Sequence, residues 1–327
     1  MVTDATSGLK RYSAVPLFDP QDGVTVIEPP AAGAGHWAGA PSACYDPDAK
    51  RFYLYYRVRK PRPIRGGECY IAASEDGRTF HTIWSATREA FGSDSVERCC
   101  LTKALDGRWL LYVSYVDPAD GRWRIDLMGA NEPSAFDPAY RLPVLTAADV
   151  GCEGVKDPWV MVVNGLYVML VSYAVAMPVP PEERERMHAT ADIYNTGLTL
   201  SSSGLAVSGD GRHFEWQGDV LAPRPGRWDA YAARLGCLVP TAQGWLGFYD
   251  GGAAVTENYE ERTGLAQSWD LRHFHRLSTG GPSLISPHGS GSLRYLDAVV
   301  LDDATYYYYE YARADGSHEL RMNRVER

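Results

Sequence analysis

The chain has 327 residues, enough for one large domain or two ordinary ones, and 45% apolar with 22% charged residues is the balance of a globular protein. A net charge of −9 argues against a nucleic-acid binder, and no apolar stretch is long enough to span a bilayer, so neither nucleic acid nor membrane is an expected partner. With 21 tyrosines against 8 phenylalanines, many aromatic rings must also reach a polar partner.

Residues 1–16 carry Lys10 and Arg11 without a following apolar core, so no secretory signal is expected. The six cysteines (44, 69, 99, 100, 152 and 237) show no CxxC spacing and several sit in apolar runs. They read as reduced, buried thiols of a cytoplasmic protein. From residue 37 onward a pattern repeats: two apolar strands joined by a polar turn, then a third strand and usually a fourth. The first hairpin is Ala43–Tyr45 with Arg51–Arg57, turning at Asp46-Pro47-Asp48. The second is Cys99–Ala104 with Trp109–Tyr115 at Asp106-Gly107, and the third Trp159–Val163 with Leu166–Tyr173 at Asn164-Gly165. Gly236–Pro240 with Trp245–Tyr249 at Gln243-Gly244 and Ala298–Leu301 with Thr305–Tyr311 at Asp302-Asp303 complete the series. Asn-Gly and Asp-Gly between apolar runs are strong hairpin signals.

A heptapeptide, S-x-D-x-R-x-F, recurs at Ser74–Phe80, Ser208–Phe214 and Ser268–Phe274. Its Ser and Asp side chains suit the capping of backbone N–H groups in a tight turn before the next strand. One segment breaks the β pattern. Pro180–Thr190, with proline first, acids early and basic residues late, predicts a short surface helix between the second and third strands of the third unit.

Five hairpin units predict an all-β single domain over 1–327: a five-bladed β-propeller of four-stranded antiparallel blades with one short inserted helix. The blades are placed at about 37–90, 91–148, 149–225, 226–285 and 286–327, with 1–36 closing the ring or packing on it. Inner strands of a propeller converge on one funnel, so the residues that lead into each first strand are the candidates for chemistry. Successive units bring Glu97, Asp157 and Asp229, a carboxylate set suited to the acid/base work of glycosidic bond cleavage. His36, Trp37, Lys156, Trp159, Tyr173, Trp228, Tyr231, Arg234, Asp250 and Arg294 are the candidates for substrate binding. Aromatic rings there suit sugar faces, and Lys156, Arg234, His288 and Arg294 suit phosphate or another anion. The polar loop 248–263, with Asp250, Glu257, Asn258, Tyr259 and Arg262, is read as a specificity loop at the rim.

Glu153-Gly-Val-Lys-Asp-Pro-Trp-Val160, followed by Asn164 to Tyr173, resembles the inner-strand motif of the five-bladed glycosidases, glycoside hydrolase families 43, 32 and 68 and the related family 130 phosphorylases. The resemblance implies that Asp157 tunes the acid and orients substrate, Glu97 is base or nucleophile, and Asp229 is proton donor. The families carry Asp in the second of these roles and Glu in the third, so both are exchanged here. It also implies that His288 corresponds to an axial histidine that helps hold a structural metal ion in the central channel; no cofactor is required. The expected activity is hydrolysis of a glycosidic bond in a small carbohydrate or glycoconjugate. The alternatives are a phosphorylase using phosphate, or a non-hydrolytic propeller that keeps the pocket, as a carbohydrate-binding module or a small-molecule biosynthetic protein.

Overall fold

The computed structural model describes residues 17–327, so the reading of the first 16 residues lies outside the described part. The chain is almost entirely β. After β1 (Val24–Ile27) come β2 (Trp37–Asp46), β3 (Arg51–Lys60), β4 (Arg65–Ser74) and β5 (His81–Thr87), each paired antiparallel with the next. A second set follows with β6 (Cys100–Lys103), β7 (Trp109–Val116), β8 (Trp123–Ala130) and β9 (Leu142–Leu145). The third set is β10 (Gly154–Val163), β11 (Leu166–Ala174), β12 (Ser201–Ser208) and β13 (Glu215–Leu221). The fourth is β14 (Ala232–Thr241), β15 (Gly244–Gly252), β16 (Arg262–Ser268) and β17 (His275–Arg276). In the fifth, β18 (Leu293–Val300), β19 (Ala304–Ala312) and β20 (His318–Glu326) are joined by β1, which pairs with β20 from the other end of the chain.

Local chemistry explains these elements. Asn164 and Gly165 both adopt positive φ (51° and 79°), the backbone that a tight β10–β11 hairpin requires. The three heptapeptides form one turn each between the third and fourth strands of the first, third and fourth sets. In the first, Ser74 Oγ accepts from Gly77 N at 3.0 Å, and Asp76 accepts from Arg78 N and Thr79 N at 2.8 and 2.7 Å. Asp210 and Asp270 repeat this on His213 N and His273 N at 2.9 and 2.8 Å. Tyrosines weld these turns to the neighbouring set: Tyr308 donates to Gly77 O at 2.7 Å and Tyr112 to Gly211 O at 2.8 Å. The Tyr-rich strand β19 is buried throughout because it packs on both faces. Tyr306 and Tyr308 join the apolar cluster with Phe52 and Leu54, whereas Tyr307, Tyr309 and Tyr311 join the one with Phe248 and Tyr249.

Among the described residues two α-helices are present where one is expected. The additional α1 (Ala147–Val150) is a single turn. Asp149 reaches back to Thr146 N at 2.8 Å, and Gly151 ends the turn in the left-handed region. The expected helix, α2 (Pro181–Ala189), lies between β11 and β12 as anticipated. It is not purely superficial, since Met187 packs with Trp123, Ala174, Ile193 and Tyr194.

Candidate active site

The first strands of four sets share a device. A β-bulge interrupts β2 between Gly39 and Ser42, β10 between Lys156 and Trp159, β14 between Leu235 and Cys237, and β18 between Arg294 and Asp297. In three of them a non-glycine residue takes positive φ: Ala40 at 53°, Asp157 at 55° and Tyr295 at 53°. Such a bulge re-aims a side chain at the price of local strain.

Around these bulges runs a chain of alternating buried charges. Glu97 takes Arg59 Nη1 at 2.6 Å and Arg57 Nε at 3.0 Å, and Arg57 reaches Glu310 at 3.4 Å. Glu310 binds Arg294 at 2.7 Å, Arg294 binds Glu261 at 2.8 Å, and Glu261 binds Arg234 at 2.7 Å. Gly39 makes room for this chain, because a Cβ there would lie 1.9 Å from Glu310 Oε2. Burial alone would raise the pKa of Glu97 and Glu261, but the surrounding cations outweigh it and hold both at about 2.

The chain of pairs breaks at the third set. Asp157 is 3% exposed, yet neither carboxylate oxygen has a hydrogen-bond donor among the described residues. Lys156 Nζ stands 3.3 Å from Oδ2, and burial lowers its pKa, with Asp157 opposing. Trp123 Nε1 and Arg57 Nη1 are likewise buried without acceptors, and Lys156 lies over the rings of Trp123 and Tyr194 at 5.3 and 4.8 Å. Asp250, on β15 beside Arg234, accepts from Tyr295 N at 3.1 and 3.0 Å. Burial, and then the neighbouring Glu261, push its pKa up to about 7.

The structure thus brings Glu97, Lys156, Asp157, Arg234, Asp250 and Arg294 to one charged centre. Trp37 joins them, stacked on His318 at 4.4 Å with Arg59 and Arg294 over its ring at 5.4 and 5.1 Å. His36 is half-buried beside Trp37, and its backbone carbonyl accepts from His318 N. Tyr231 donates to Tyr194 O at 2.6 Å. The remaining candidates fall elsewhere. Asp229 is clamped by Arg224 and Arg276 at 2.9 and 2.8 Å and by Tyr249 at 3.2 Å, and shares none of these partners with Glu97 or Asp157. Trp159 and Tyr173 are core residues bonded to Asp297 and Asp219, and Trp228 packs on Tyr249 while donating to Ser278 O. His288 sits in an exposed loop.

Sequence reasoning passed over Arg57, Arg59, Glu261, Glu310 and His318. The signal was available: Arg57 and Arg59 share one face of a buried strand, and Glu310 is a lone acid in a run of tyrosines.

Three loops close over this centre through Asp192. It receives Arg62, Arg65 at 3.4 Å, Tyr259 Oη at 2.5 Å and Asn195 Nδ2 at 3.0 Å. Arg65 also donates to Ala191 O at 2.8 Å, and Asn258 links Asn195 to Arg234. Tyr259, on the loop expected to set specificity, lies 3.9 Å from the Arg59 guanidinium carbon. Helix α2 is tied down by Glu153, which binds His188 at 2.8 Å and Arg184 at 3.0 Å.

The central metal ion implied by family resemblance does not fit these residues. His288 is exposed, its ring edge-on to Tyr311 at 6.4 Å, and the described residues contain no cluster of three or more His, Cys, Asp or Glu side chains suited to a metal. The guanidinium of Arg98 occupies the space between the bulges instead, bonded to Pro41 O and Leu296 O.

No family model matches the sequence, and no curated protein matches it. Solved structures do match its fold. The β-1,2-mannobiose phosphorylase from Listeria innocua, in complex with β-1,2-mannobiose, is 16% identical over 92% of this chain and 94% of its own, with a TM-score of 0.59. A thermostable family-43 glycoside hydrolase is 13% identical over 92% of both chains, with a TM-score of 0.64. A glycosyl hydrolase from Bacteroides ovatus is 14% identical over 90% of this chain and 85% of its own, with a TM-score of 0.59. The chain therefore shares the fold of the β-propeller glycosidases.

Proposed function

We propose that the protein is a five-bladed propeller whose centre cleaves a glycosidic bond in a small carbohydrate or glycoconjugate. The blade count is supported by the five strand sets and by apolar clusters that join the sets in cyclic order, fifth to first, first to second, second to third, and third through fifth. The reaction is supported by one observation above the rest: Asp157, buried on a strained bulge, presents two carboxylate oxygens that no hydrogen-bond donor among the described residues satisfies, with Lys156 Nζ as counter-charge 3.3 Å away, beside a chain of buried ion pairs. Buried acceptors of this kind are costly unless a ligand's hydroxyls satisfy them. Asp157 then orients a sugar hydroxyl, while Asp250, protonated up to about pH 7, is the proton donor in place of Asp229, which is engaged by Arg224 and Arg276. Glu97 is the ionised carboxylate of the pair.

Hydrolase and phosphorylase differ in the acceptor, water or phosphate, and Lys156 is the cation not locked between glutamates. A non-hydrolytic reading has its own support, because Glu97 and Asp229 are each held by two arginines. The six free cysteines fit a cytoplasmic location.

A panel of aryl glycosides, assayed with and without phosphate, separates these cases. Release only with phosphate identifies a phosphorylase, release without it a hydrolase, and sugar binding without release a binding protein. Asp157→Asn is expected to lower turnover by about 10³-fold or more at unchanged Tm. Full activity in that variant would sink the assignment.

A further inference from the structure

Arg98 follows Glu97 on the chain entering β6, and its side chain goes the other way. It is 1% exposed, and its contacts are backbone rather than the carboxylates of the charged ring. Nε donates to Pro41 O at 3.0 Å and Nη2 to Leu296 O at 3.4 Å. Those carbonyls come from residues directly after Ala40 and Tyr295, so both belong to positive-φ bulges. On another side lies the bulge of β14, where a Cβ on Gly236 would stand 2.4 Å from Arg98 Nη1. Gly236 has no positive φ, so glycine is required there for room, not for conformation.

Asp297 is the counter-charge, 3.8 Å from Arg98 Nη2. It accepts from Ala43 N at 2.8 Å and Trp159 Nε1 at 2.8 Å. Rooted in the second set and the fifth, the pair touches Pro41 and Ala43 of the first set, Trp159 of the third and Gly236 of the fourth. Every strand set meets at these two side chains.

We infer that the Arg98–Asp297 pair is a resident hub that fills the role and the space of a central metal ion, making the fold's centre metal-independent. A planar guanidinium presents five donors in fixed directions, which suits carbonyls arriving from several strands. A divalent cation in the same space would need its own shell of oxygen ligands, and would face the guanidinium charge at short range.

The test uses thermal unfolding of the purified full chain. After EDTA treatment, adding Ca²⁺, Mg²⁺ or Zn²⁺ leaves Tm unchanged to within about 1 °C; a metal-dependent rise of several degrees overturns the inference. Gly236→Ala lowers Tm by several degrees in the wild type, because Arg98 must move, but costs little in an Arg98→Ala background. Equal losses in both backgrounds, or none in the wild type, overturn it too. Arg98→Ala alone leaves Asp297 buried and unpaired, and is expected to lower Tm by about 4–7 °C; Asp297→Asn in that background recovers part of the loss. Should Arg98→Ala not fold, Arg98→Lys keeps the charge on a slimmer side chain, and the Gly236→Ala cost must again shrink.

Discussion

At the scale of single residues, burial and partners assign different chemistry to similar side chains. Glu97 and Glu261 are acids that arginines hold anionic down to about pH 2, whereas Asp250 faces Glu261 and keeps its proton to about pH 7. That difference makes stability depend on pH in a definite direction. The unfolded Asp250 releases its proton near 3.8 and the folded one near 7, so between these values the native state binds the extra proton. Stability therefore falls as pH rises through this window and stays low above it. Glu97 and Glu261 act oppositely and elsewhere: their contribution is present above about 4.5 and lost as pH falls toward 2. Asp250→Asn keeps an acceptor for Tyr295 N but cannot ionise. It should flatten the slope between pH 4 and 7 and be more stable than wild type at pH 8, by on the order of 4 kcal/mol for a shift of this size. Denaturant titrations across that range decide it, and a variant less stable at every pH refutes the account.

Between elements, the loops over the centre act as one unit because they share a single anion. Asp192 collects Arg62 from the β3–β4 connection, Arg65 from the start of β4 and Tyr259 from the loop after β15, besides Asn195 of its own segment. Asp192→Asn removes the charge that gathers two arginines, so hydrogen exchange should rise together in 60–65, 190–198 and 255–261. Exchange rising in one loop alone would show that they are independent. The elements themselves differ in how far sequence foretold them. Hairpins and heptapeptide turns were legible because Asn-Gly, Ser and Asp fix their backbone locally, and α2 because its proline and charges mark its direction. The bulges were not, since Ala40, Asp157 and Tyr295 adopt positive φ without the glycine that normally announces it. The one-turn α1 rests on a capping pair too short to show periodicity. Asp229 illustrates the converse: its place before β14 matched Asp157 before a first strand, but Arg224, five residues upstream, and Arg276, far downstream in sequence, decide its environment.

For the whole molecule, the question is what keeps successive sheets from splaying apart. The fifth set obtains its fourth strand from the start of the chain, with Val24 opposite Met322 and Ile27 opposite Leu320. Thr25 Oγ1 donates to Glu319 at 2.9 Å, and Val24, Val26 and Ile27 pack on the cluster that joins the fifth set to the first. Phe18 adds a second clasp, its ring 4.7 and 5.2 Å from those of Tyr307 and Tyr309. Without this segment β20 would present a bare row of N–H and C=O groups, a template for another chain. Two perturbations of graded size follow. Phe18→Ala removes one buried ring and should cost about 3 kcal/mol while the oligomeric state stays that of the wild type. Deleting residues through Glu28 removes strand and clasp together, and should shift the protein to larger assemblies or aggregates than the wild type forms, with a broadened thermal transition. Size-exclusion chromatography with light scattering reads the outcome directly. A deletion variant that keeps the wild-type oligomeric state and Tm would mean that the other contacts between sets suffice, and that pairing of β1 with β20 does not close the fold.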